Sequence, residues 1–231
     1  MRRIMLFLTT ASLAVGLFGT FASPLGAQTG DVAAFCAARL EGNDAQGKAA
    51  NLATMNKAMG VAPASVSPQI TALRDAFQKK GNKLFQTRSG NQLIIAVDSW
   101  VYDNCPGTKV PVTAIDYEFQ GVPATLKAGP TTFKMTNAAP KEDHMLAIAK
   151  LTSAAQGQDL EKLLQLPDKK ASKYFEELGG GFLYASAGEA SFAPVNLERG
   201  TYAYACFLPM GGKKNGAPHF TQGMYGTFTV S

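Results

Sequence analysis

His144 and His219 are the only histidines of the chain, and both stand near other residues that bind soft metals. Cys206 lies upstream of His219 in the string Tyr202-Ala203-Tyr204-Ala205-Cys206-Phe207, and Met224 closes the string that His219 opens. Two imidazoles, a thiolate and a thioether are the donors of a mononuclear electron-transfer copper centre, a His₂Cys plane with a weak axial Met. The thiolate–thioether pair suits Cu(I), and imidazole serves both oxidation states. Zinc could take the His₂Cys part, but structural zinc sites are closed by four Cys or His ligands, and Met is not among its usual partners. An open iron site would want a carboxylate. Asp143 adjoins His144, yet neighbours in an extended chain point to opposite sides. Taken singly, Cys206 and Met224 read as buried apolar residues and the histidines as loop surface. Taken together, His144, Cys206, His219 and Met224 form a candidate metal set, with Met145 and Met210 as substitute thioethers.

Other chemistries find less support. The Asp143–His144 neighbourhood says nothing about a catalytic triad, and Asp159, Glu161, Glu176 and Glu177 read as a solvated helix face. Gly179-Gly180-Gly181 lacks the Lys and Ser/Thr of a phosphate loop and reads as a helix terminator and hinge. The net charge of +5 is mild, and lysines are scattered without interleaved aromatics, so nucleic-acid binding is not expected. No enzyme is expected.

The three cysteines divide unevenly. An exported protein with three can close one disulfide and leave one thiol. Cys36 and Cys105 fall in the N-terminal half, so a Cys36–Cys105 bridge leaves Cys206 as the free thiol. A thiol in an oxidising compartment is a hazard unless buried or occupied, and a metal would occupy it. Export itself is read from residues 1–27. A basic start at Arg2 and Arg3 leads into an uncharged apolar run, and small residues around Ala27 offer a cleavage site. The expected location is periplasmic or secreted, with no stable membrane insertion once the leader is removed.

The elements that must position these residues fall into two units. Residues 28–107 read as a small helical bundle. Asp31 caps a helix with Phe35, Cys36 and Leu40 at helical spacing, Gly60 stops a second, and Gly81 stops a third that carries Ile70, Leu73 and Phe77. Ile94, Val97 and Val101 mark a fourth. From residue 108 onward the pattern alternates with period two. Strands are expected over residues 110–119, 131–137, 145–151, 191–197, 200–207 and 224–230, making an antiparallel sandwich. A helical insert is expected between them, with Leu160, Leu163 and Leu164 in one piece and residues 169–178 in the next.

Residues 110–231 resemble the cupredoxin family of Greek-key sandwiches. Thr132-Phe133-Lys134-Met135-Thr136-Asn137 followed by Glu142-Asp143-His144 is similar to the family's strand, Asn, loop and first His. The run from Gly200 to Cys206, then His219, Met224 and the strand Tyr225 to Val230, is similar to its strand-Cys-loop-His-Met-strand end. The resemblance implies an α+β chain in which a helical bundle precedes a cupredoxin-like sandwich with a helical insert. It implies His144, Cys206 and His219 as equatorial ligands of one copper and Met224 as the axial ligand. The implied work is single-electron transfer by a monomer with a redox or copper-exchange protein partner. Two other functions stay open: a metal-free interaction module, and a Cu(I) storage or delivery protein. The segment between Cys206 and His219 is longer than family copper loops usually are. Gly211, Gly212 and Gly216 permit either a tight fold or a mobile loop there.

Overall fold

The computed structural model describes residues 30–45, 47–213 and 215–231. The leader expected over residues 1–27 lies outside the described residues. Four helices come first: α1 (Val32–Glu41), α2 (Gly47–Val61), α3 (Ser67–Lys80) and α4 (Arg88–Asn104). Asp31 caps α1 as expected, its Oδ1 accepting the N–H groups of Ala33 and Ala34 at 2.9 and 3.1 Å. α2 runs one residue past Gly60. The apolar faces meet in one core containing Phe35, Ile70, Leu73, Phe77, Leu84, Val97 and Val101. The disulfide Cys36–Cys105, with Cα atoms 5.7 Å apart, ties α1 to the end of α4.

Nine strands follow in two sheets. β1 (Thr108–Ile115), β2 (Glu118–Gln120), β4 (Gly129–Asn137) and β7 (Ala190–Leu197) form one sheet, in the order β2-β1-β4-β7. β3 (Thr125–Leu126), β5 (His144–Leu151), β6 (Phe175–Ala185), β8 (Gly200–Ala205) and β9 (Tyr225–Val230) form the other, in the order β3-β9-β8-β5-β6. Alternate residues of both sheets point inward. Val110, Val112, Phe133, Met135, Leu146, Leu183, Val195, Tyr202 and Phe228 fill the space between them, and Cys206 and Met224 belong to the same core. Each such side chain contributes about 1.5–3 kcal/mol by leaving water.

Three expectations need correction. The sandwich is mixed rather than antiparallel, because β1 pairs with β4 and β3 with β9 in parallel. The strand expected over 110–119 is broken by a turn, where Tyr117 takes a φ of 61°. The helix expected over 169–178 is short: α6 spans Asp168–Ala171, and the chain then becomes β6. Gly179-Gly180-Gly181 is therefore no helix terminator. It forms a bulge where β6 passes Ile148 of β5, with Gly180 at a φ of 73° and Asn43 packed against it. The first piece of the insert, α5 (Leu160–Leu164), does form and lies against the turn at residues 219–222.

The helical unit covers the outer face of the first sheet. α4 packs on β7, with the Tyr102 and Phe192 rings 5.6 Å apart and Lys134 over both. Asn43 donates to the carbonyl of Pro194, and Arg88 reaches Glu189 at 2.7 Å.

Candidate metal centre

His144 opens β5, and the loop that delivers it is held by Asn137. Asn137 is buried, and its Nδ2 donates to the carbonyls of Glu142 and Ala185 at 2.8 and 2.9 Å. Its Oδ1 accepts Ala139 N–H at 3.0 Å, so one amide ties the start of that loop to its end. Cys206 follows the last residue of β8. Its N–H donates to Met224 O at 3.0 Å, and its carbonyl accepts Phe220 N–H at 2.9 Å. These bonds lock the residue to both ends of the final turn.

His219 starts a short 3₁₀ turn over His219–Gln222, ended by Gly223 at a φ of 98°. That left-handed conformation suits glycine and reverses the chain so that Met224 enters the core. The long segment between Cys206 and His219 is paired as a hairpin at its base. His219 N–H donates to Leu208 O at 2.9 Å, Pro209 bridges Pro218, and Met210 N–H donates to Ala217 O at 3.0 Å. The ends of the segment are thus paired, and the ligands on either side are brought together.

The donors converge. His144 Nδ1 and His219 Nδ1 are 3.2 Å apart, and Cys206 Sγ lies 3.4 Å from His219 Nδ1 and 4.0 Å from His144 Nδ1. An ion about 2.0–2.1 Å from nitrogen and about 2.3 Å from sulfur sets trigonal donors about 3.5–3.8 Å apart. The three observed separations bracket that spacing. All three residues and Met224 are 0% exposed. Met145 gives its backbone instead of its thioether: its N–H points to Cys206 Sγ at 3.4 Å. Met210 sits on the hairpin, partly exposed. Asp143 is taken by the hydroxyl of Tyr184.

The electrostatics follow from burial. Desolvation lowers the pKa of His144, and the neighbouring His219 lowers it further. Desolvation also lowers His219, opposed by Glu142. Burial thus favours the neutral form of both rings, the form that can ligate. Burial pushes the Cys206 thiol up, while the N–H groups of Met145 and Leu208 pull it back. The outer nitrogens, His144 Nε2 and His219 Nε2, are buried without a hydrogen-bond partner. Two residues at the site lie outside the candidate metal set. Tyr117 sets its ring edge-on to His219 at 5.1 Å, and Glu142 faces His219 Nε2 at 3.6 Å. Both come from turns whose approach depends on the folded sheets.

Strand, Cys, His, Met and strand follow one another here with their donors gathered at one end of two packed sheets. That order of strands and donors agrees with the cupredoxin resemblance drawn from the sequence. Similar solved structures include an auracyanin from Roseiflexus castenholzii, 16% identical, covering 54% of this chain and 98% of its own, with a TM-score of 0.37. An azurin from Methylomonas sp. strain J is also 16% identical, covering 55% and 99%, with a TM-score of 0.34. Auracyanin A from Chloroflexus aurantiacus, described as a blue copper protein, is 20% identical, covering 52% and 99%, with a TM-score of 0.31. No family model and no curated protein matches the sequence. Likenesses this distant carry nothing about ligands, so the site stands on its own donor geometry.

Proposed function

We propose that the chain is an exported single-electron carrier that holds one copper ion through His144, Cys206, His219 and, axially, Met224. The observation that carries this reading is the convergence of two imidazole Nδ1 atoms and one thiol within 4.0 Å in a buried pocket. A soft sulfur with two imidazoles favours copper over zinc or iron. Copper, when bound, supplies a one-electron couple. The chain supplies the rest: neutral rings, a sulfur steadied by Met145 N–H, and a covered site from which water is excluded. Three converging donors, with Met224 buried in the same core, support a carrier rather than an enzyme. Burial of every donor supports a carrier over a delivery protein, because none of them is open to a receiving partner. The partner is then a redox protein. Export is supported by the Cys36–Cys105 bridge, which belongs in an oxidising compartment. The two hydrophobic cores support a division into a helical domain over 28–107 and a sandwich domain over 108–231.

The test is a visible spectrum of the purified chain after Cu(II) addition, with metal content and intact mass on the same sample. An intense thiolate-to-copper band at one copper per chain is expected, together with a mass lacking residues 1–27. Cys206→Ser should abolish the band and the tight binding. A colourless Cu(I) complex would assign storage or delivery, and a chain that takes up no copper would leave the metal-free module.

A further inference from the structure

The hairpin between Cys206 and His219 is anchored from the opposite loop by one carboxylate. Glu142 accepts the Gly211 N–H on both oxygens, Oε1 at 3.0 Å and Oε2 at 3.2 Å. The same Oε2 stands 3.6 Å from Nε2 of His219, the ring nitrogen turned away from the cluster. That distance is longer than a hydrogen bond, yet the nitrogen is buried and has no other polar neighbour within bonding reach. The backbone under the carboxylate is fixed, because the Glu142 carbonyl accepts from Asn137 Nδ2 at 2.8 Å. Glu142 therefore touches the hairpin and faces the second histidine from one rigid position.

We propose that Glu142 is the positioning residue of the centre, holding the Gly211 hairpin closed and orienting the His219 ring through its outer nitrogen. This inference rests on the metal-binding reading above. Once Nδ1 of a neutral imidazole is given to an ion, the ring keeps its one proton on Nε2. On His219 the nitrogen that carries this proton has Glu142 Oε2 3.6 Å away. A carboxylate behind a ligating imidazole fixes ring orientation and raises the basicity of the ligand. It thereby favours the more positive oxidation state, Cu(II) over Cu(I). Asp143, the adjacent acid, is engaged by Tyr184. The Gly211 contact lies beyond the paired base of the glycine-bearing hairpin, so Glu142 adds a second anchor there.

Two substitutions in the full chain separate the two roles. Glu142→Gln keeps an oxygen for Gly211 N–H and removes the negative charge, whereas Glu142→Ala removes both. Backbone amide exchange at Gly211 in the metal-free protein reads the anchor. The reduction potential of the copper-loaded protein reads the effect on His219. Gln should leave Gly211 protected and weaken Cu(II) relative to Cu(I) by about tenfold, a rise of about 59 mV for one electron. Ala should show the same rise and also expose Gly211 to exchange. A purely structural role would not move the potential in the Gln variant. An unchanged potential with copper in place, or an unchanged Gly211 in the Ala variant, overturns the proposal alone. A wild-type chain that takes up no copper overturns the metal reading and this inference together, and that is seen before any variant is made.

Discussion

Two imidazoles and a thiol buried in one pocket make stability depend on pH in a way that reports the site itself. Burial holds His144 and His219 below the ordinary histidine value of about 6.5 and Cys206 above the ordinary thiol value of about 8.5. Below about pH 6.5 the unfolded metal-free chain binds protons that the folded one refuses, so stability falls as pH falls through that value. Above about pH 8.5 the unfolded chain loses a thiol proton that the folded one keeps, so stability falls again as pH rises. Urea midpoints of the metal-free protein should therefore form a plateau between these limits. Replacing His219 by Gln should flatten the acid side, and an acid side as steep as before would show that other groups set it. Copper uptake needs the thiolate, so loading should release a proton at neutral pH. These donors were legible in the sequence because their types are scarce: two histidines and one unpaired cysteine leave little choice. Tyr117 was not legible, since one tyrosine among several acquires its role only when a distant turn arrives, and Glu142, though it stands in the run before His144, shows its contact with His219 only in the fold.

Elements are held to one another by a few desolvated polar groups, and Arg39 with Asp98 is the strongest case. The guanidinium of α1 meets the carboxylate of α4 by two bonds, Nε to Oδ1 at 2.7 Å and a terminal nitrogen to Oδ2 at 2.8 Å. Burial pushes the Asp98 carboxyl up, and Arg39 pulls it back toward ionisation. Removing Arg39 leaves the acid buried and unpaired. Arg39→Ala should cost about 3–5 kcal/mol, while replacing both residues with apolar ones of similar volume should cost far less. Denaturant midpoints for both single variants and the double variant check this, and a double loss equal to the sum of the single losses would mean the pair is not coupled. Local signals served well where they agreed with tertiary demand, as at the Asp31 cap and the alternation of β4. They failed where they conflicted. Tyr174 and Leu178 recur at helical spacing before three glycines, which mimics a helix and its stop. The edge of β5 takes Phe175 to Glu177 into the sheet instead, and the glycines become its bulge. The hairpin was hidden for a similar reason: only long-range pairing shows that residues between Leu208 and His219 close on themselves.

At the scale of the whole molecule, two hydrophobic cores share one face, and the covalent cross-link lies entirely within one of them. Cys36 and Cys105 enclose the helical unit, at a sequence separation of 69. On the chain-entropy account such a bridge stabilises by about 4 kcal/mol, by restricting the unfolded helical segment. The sandwich gains nothing directly, because its own core runs from Val110 to Val230 without a cross-link. The two units touch through α4 on β7, the Asn43 bond to Pro194 and the exposed Arg88–Glu189 pair. An exposed pair of that kind contributes little. Replacing both cysteines by serine should therefore weaken the helices far more than the sheets that carry the candidate metal site. On heating, the helical far-ultraviolet signal should be lost first, and the visible copper band should persist to a higher temperature. In the unaltered chain the two signals should lie closer together. If both vanish together in the variant, the α4–β7 face couples the units into one cooperative body, and the helical unit then guards the stability of the site as well as the surface of its sheet.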